Sequence, residues 1–275
     1  MTAKTFAALV IAGATVSAGG QEALFTGAAT QPGVGIFKIR FLPLYAEYSG
    51  GESGAEDRAR VFSVETTLSY GLSPTLSASL TAPMKQRVLE GDSPEERDLG
   101  LGDMTFDFKY RFHTHAYGPI NTARFAAVLG LSIPSFDAPF SNEALNPAAG
   151  VIYTHIHERH GWNVELRYTL TTGGKRFGMD PGDTHADLLE ANLAYLYRLA
   201  PARYAADTFA SWYGVVECLI DWETNGDYTV VLAPGILYEA RNVGLEAGVQ
   251  IPVSQAADHR MEKDWAVVFG VRVFF

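Results

Sequence analysis

Five histidines fall in two short stretches, His113-Thr-His115 and His155-Ile-His157, with His160 close behind. Alternate side chains of a strand share a face, so each pair could set two imidazoles around a metal ion. No cysteine or carboxylate cluster accompanies them, and Cys218 is the single cysteine, with no internal disulfide partner. No metal or other cofactor is expected, and the plainer reading has these histidines facing an interior or lying at turns. A serine hydrolase would need a histidine with an Asn or Asp orienter and a serine in reach. None of these histidines stands in a local His-x-Ser setting, so catalysis is not expected.

Ionic side chains show a more regular arrangement. In Gly102 to Phe112, GDMTFDFKYRF, Met104, Phe106, Phe108, Tyr110 and Phe112 alternate with Asp103, Thr105, Asp107, Lys109 and Arg111. A strand with that period has one apolar and one charged face. Similar alternation gathers Lys38, Arg40, Glu65, Lys85, Arg124, Glu165, Arg167, Glu190, Arg198, Glu217, Glu239, Glu246 and Arg272 on the same kind of face. Positive and negative members nearly balance. Such a set could be a selectivity ladder in a pore, or a paired network that keeps a cylinder rigid and wet.

The elements that must position these charges are strands. The chain has 27 glycines, 16 Phe and 13 Tyr, which favours strands and turns over helices. No run approaches the roughly 20 apolar residues of a membrane helix. Candidate strands fall at 34–48, 60–70, 75–85, 102–112, 122–133, 149–157, 163–172, 186–198, 207–220, 228–239, 243–253 and 265–275. The stretch at 186–198 also has helical propensity. Short turns near 71–74, 115–120, 158–162, 199–204 and 240–242 alternate with longer polar loops, including 86–101, 134–147, 173–184 and 221–227. Too little remains to build a second layer. The expected fold is therefore all-β: a twelve-stranded antiparallel up-and-down transmembrane β-barrel, apolar face to lipid and charged face to the lumen. Tyr70, Tyr110, Phe112, Tyr195, Tyr197, Tyr238, Trp265 and Phe275 fall near strand ends, where an interfacial aromatic girdle belongs.

Residues 1–18 read as a secretory signal peptide, with Lys4, an apolar stretch and a Val16-Ser17-Ala18 cleavage site. Residues 19–32 read as an N-terminal leader and 33–275 as the barrel. The formal net charge of −10 argues against nucleic-acid binding. An exported barrel of this kind belongs in the bacterial outer membrane, with membrane lipid and lipopolysaccharide as neighbours.

Tyr70-Gly-Leu-Ser-Pro-Thr-Leu-Ser-Ala-Ser-Leu-Thr-Ala-Pro83 and Gly100-Leu-Gly-Asp-Met-Thr-Phe-Asp-Phe-Lys-Tyr-Arg-Phe112 are similar to blocks of the MetA-pathway phenol-degradation family of outer-membrane transporters. That resemblance implies a barrel passing small, hydrophobic or aromatic solutes, with no catalytic residues. The last strand, ending at Phe275, resembles the signal read by barrel-assembly machinery. Twelve strands at roughly 4.8 Å spacing and about 40° tilt give a backbone radius of roughly 12 Å. Such a lumen could pass one small solute at a time, or be plugged by the leader or a loop. A plugged barrel without transport is the alternative, and a membrane-embedded lipid-modifying enzyme a more distant one.

Overall fold

In the computed structural model, residues 21–50, 58–91, 95–137, 139–174, 180–182, 185–205 and 207–275 are described. The expected signal peptide lies outside them. Every regular element among the described residues is a strand. In chain order these are β1 (Phe37–Ser49), β2 (Arg58–Gly71), β3 (Leu76–Glu90), β4 (Glu96–Leu101), β5 (Met104–Ala116), β6 (Thr122–Ile133) and β7 (Asn146–His157). There follow β8 (His160–Thr169), β9 (Leu188–Ala200), β10 (Ala210–Glu223), β11 (Tyr228–Ala240), β12 (Val243–Ala256) and β13 (Glu262–Phe274).

Neighbouring strands pair antiparallel around the sheet. β1 meets β13, with Arg40 opposite Arg272, and β2 meets β3, with Leu68 opposite Leu80. The cylinder is thereby closed by twelve strands, and β4 is the thirteenth element. Closure leaves no edge in the wall, which a lipid-embedded sheet requires because no water is present to satisfy free N–H and C=O groups.

β4 corrects the sequence reading of 86–101 as loop. β3 continues to Glu90, and its outer half pairs with β4, Met84 opposite Leu101 and Leu89 opposite Glu96. Its inner half pairs with β5, Leu80 opposite Phe106. The register slips at Gly102-Asp103, where the Gly102 N–H donates to the Pro83 carbonyl at 2.8 Å. β3 and β4 thus project past the end of β6 as a hairpin. Its polar composition hid the pairing, because above the membrane neither face must be apolar.

Two connections also differ from the loop pattern. β10 runs on to Glu223, leaving only Thr224 to Asp227 before β11, whereas 201–209 separates β9 from β10. The segment at 186–198 is strand despite its helical propensity, because β8 and β10 clamp it from both sides. Sheet pairing overrides a weak local preference.

Alternation sorts the side chains as the period requires. The outer face carries Phe41, Phe108, Leu129, Val216, Ile251 and Phe269, all exposed, Leu129 at 66% and Phe269 at 62%. An apolar surface continuous around the whole cylinder is far larger than a soluble monomer carries. It is the lipid face of a membrane barrel.

Candidate functional site

The lumen is occupied by the chain's own N-terminal segment. Residues 21–32 make no strand, yet Ala23, Leu24, Thr26, Ala28, Ala29 and Thr30 are buried. The wall holds this segment chiefly by its backbone. Glu217 on β10, fully buried, accepts the Leu24 N–H at 2.8 Å, the Phe25 N–H at 3.1 Å and the Thr26 N–H at 2.6 Å. Glu165 on β8 accepts from Gly27 N–H at 2.7 Å, and the Thr154 hydroxyl on β7 from Ala29 N–H at 2.8 Å.

The carbonyls are met by cations. Arg272 on β13 donates to the Ala23 carbonyl at 2.7 Å, Lys109 on β5 to the Ala28 carbonyl at 2.8 Å, and Arg40 on β1 to the Leu24 carbonyl. Charged side chains around the cylinder therefore supply what neighbouring strands would supply in a sheet. An extended segment crossing a lumen needs such partners, because a buried backbone group left unmet costs free energy comparable to a lost hydrogen bond.

The segment's side chains add apolar contact. Leu24 is 1% exposed and packs with Leu42, Leu196, Tyr213, Val215, Leu237 and Val268. Gly235 and Gly248, directly opposite each other on β11 and β12, leave its place open. A Cβ at Gly248 would lie 2.8 Å from a Leu24 methyl. Farther along, Ala29 packs with Ala126, Val128 and Ile152. Gly71 admits the segment's exit, since a Cβ there would lie 2.0 Å from the Gly33 carbonyl oxygen.

Most remaining lumen charges are paired. Glu22 of the segment meets Lys38 at 2.7 Å and Arg272 at 3.4 Å. Glu246 bridges Arg40, at 2.6 Å, and Arg272. Arg167 joins Asp107 at 2.9 Å and Glu190 at 3.8 Å. Glu65 on β2 is exposed. Arg198, at the short-turn mouth, donates to the Pro201 carbonyl at 3.1 Å and lies over the Tyr204 ring. Asp103 serves differently: its two oxygens accept from Ser135 N–H at 3.1 Å and Asn142 N–H at 3.0 Å, fastening the loop after β6. At the other mouth Asp180, between β8 and β9, reaches Lys85 at 3.2 Å and the Tyr48 hydroxyl.

The histidines sit elsewhere than expected. A bulge between Arg111 and His113 turns His113 and His115 to the outer face, opposite Phe125 and Ala123. His155 and His157 share that face, because Thr154 and Ile156 point inward and are buried. His155 bonds the Tyr117 and Tyr153 hydroxyls, each at 2.9 Å. Among the described residues no group of His, Cys, Asp and Glu is arranged to hold a metal. The eight aromatic residues assigned to strand ends are on the outer side, with pairs such as Tyr45 and Trp265 at 5.5 Å, Trp212 and Tyr238 at 4.9 Å, and Phe37 and Phe275 at 5.8 Å between ring centres.

The family model described as the MetA-pathway of phenol degradation matches residues 84–264. The chain belongs to this family. The matched span includes the Gly100 to Phe112 block, and the Tyr70 to Pro83 block and the lumenal segment lie before it. An outer-membrane channel from Pseudomonas putida F1 has the same fold at 10% identity, with a TM-score of 0.59 over 93% of this chain and 99% of that one. Weaker likenesses are the CymD monoaromatic hydrocarbon channel (8% identity, TM-score 0.42, 88% of each chain) and the translocator domain of the autotransporter NalP from Neisseria meningitidis (13%, 0.46, 88% of each chain). No curated protein sequence matches the chain. With its closed wall and lipid-facing exterior, this family member is a bacterial outer-membrane β-barrel.

Inward-facing Leu42, Leu196, Tyr213, Val215, Leu237 and Val268 were not foreseen as a docking wall. Their signal was present in strands apolar on both faces, such as Tyr195-Leu196-Tyr197. A strand in a water-filled pore has no reason for that pattern, and one covered on both sides does.

Proposed function

We propose that this outer-membrane barrel is a channel for small, hydrophobic or aromatic solutes, closed at rest by residues 21–32. The observation that carries the reading is the three-fold acceptance of Leu24, Phe25 and Thr26 N–H groups by Glu217. A segment held mainly by hydrogen bonds to wall side chains can leave without breaking the wall's own ladder. The solute class is supported by the family's description and is read here for this chain.

The outward aromatic side chains, Tyr70, Tyr110, Phe112, Tyr195, Tyr197, Tyr238, Trp265 and Phe275, sit in the interfacial girdle, next to phospholipid on one rim and lipopolysaccharide on the other. Phe275 is the contact for barrel-assembly machinery, and residues 1–18 direct export. Catalysis has no part in this reading.

Uptake tests it. Cells lacking the gene should accumulate a small labelled phenol more slowly than cells carrying it, and regain the rate on complementation. Equal uptake in both would favour the second reading, a barrel with a permanently seated plug, for which the depth of Leu24 burial speaks.

A further inference from the structure

Among the lumen cations, Arg111 and Arg124 have no carboxylate partner among the described residues. Arg111 spends one Nη2 hydrogen bond on the Pro74 carbonyl, at 2.6 Å, and its buried Nε is unmet. Arg124 has an unmet buried Nε too, and the Thr122 hydroxyl two residues before it is likewise buried without a partner. Arg124 lies between Thr114 on β5 and Thr154 on β7, and Arg111 lies opposite Ala126. The nearest acidic side chain on these strands, Asp107, is already bonded to Arg167. Two half-buried guanidiniums without a counter-charge are costly, because removing each from water is not offset by attraction.

Beyond these threonines the wall is apolar and already covered. Ile156 stands opposite Thr122 and Ile152 opposite Ala126, all on the inner face at the short-turn mouth. Ile152 and Ala126 pack against Ala29 of the lumenal segment.

We propose that Arg111 and Arg124 form an anion subsite at this mouth, which takes the carboxylate of a small organic acid. A guanidinium offers its Nε and one Nη side by side, the spacing that a carboxylate matches with two parallel hydrogen bonds. The Thr122 hydroxyl adds a donor. The subsite gives the channel reading a solute class and rests on it for its purpose, yet its test needs no flux.

Calorimetric titration of the intact, detergent-solubilised chain with benzoate, benzamide and inorganic phosphate decides the matter. Wild type should bind benzoate saturably and benzamide not at all. Arg111→Gln and Arg124→Gln should each weaken benzoate binding about tenfold or more, as expected for a lost charge-assisted hydrogen bond. Both variants should keep the heat-modifiable gel mobility of a folded barrel. In thermal unfolding Arg124→Gln should match or exceed wild type without ligand, since no ion pair is lost, and benzoate should raise only the wild-type midpoint. Absence of saturable benzoate binding, binding unchanged in both variants, or preference for phosphate would each overturn the subsite. Phenol uptake with no benzoate binding would leave the channel and remove the subsite; binding without uptake would do the reverse.

Discussion

Glu217 is the residue on which closure turns. One carboxylate at the middle of β10 meets three consecutive backbone N–H groups, and no cation competes for it among the described ion pairs. Hydrogen bonds to a charged group contribute about 1.5–3 kcal/mol each. Glu217→Leu should therefore raise amide hydrogen exchange at Leu24 to Thr26 by about tenfold or more, with exchange of the β10 ladder unchanged. Unaltered exchange at those amides would show that Leu24 packing alone seats the segment. A second residue-scale prediction concerns pH. Asp227, in the turn after β10, is buried, which alone would raise its pKa, but His259 and the N–H groups of His259 and Asp258 hold it below the ordinary carboxylate value. A depressed folded pKa stabilises the contact above the unfolded value of 3.8 and the contribution is lost as pH falls through the folded value. The tie between this turn and the loop before β13 should loosen on acidification below about pH 4, and Asp227→Asn should abolish that pH dependence, read by exchange at Asp258 and His259.

At the scale of elements, alternation in the sequence predicted all twelve wall strands, because lipid on one side and water or polar groups on the other impose a period of two. Strand ends were less legible. β3 and β4 extend past the end of β6, where that constraint lapses and Glu96 to Leu101 pair through the backbone ladder and the cross-strand ion pair of Arg87 with Asp98 at 2.6 Å. Orientation failed where a bulge intervened: past Arg111 the parity changes, and no residue type between Arg111 and His113 announces it. The lumenal segment was legible as a possible plug but not as a docked one, since Leu24 meets residues that are distant in sequence. Asp103 was assigned to the charged inner face with Asp107, yet it fastens the loop after β6. Asp103→Ala should free two backbone N–H groups and raise exchange at Ser135 and Asn142, while exchange in β5 and β6 stays as in wild type.

For the whole molecule, apolar residues of the outer face meet lipid and the chain's own N-terminal backbone closes the interior. Phe269 lies midway along β13 on the outside. Phe269→Arg should lower unfolding stability in phospholipid vesicles by about 2–4 kcal/mol, the depth-dependent cost of a cation at the bilayer midplane. The most direct test of the central claim is single-channel conductance in planar bilayers, comparing the chain with and without residues 21–30. The deleted form should show a stable open conductance several-fold above that of the intact chain. Equal conductance in the two would contradict the account.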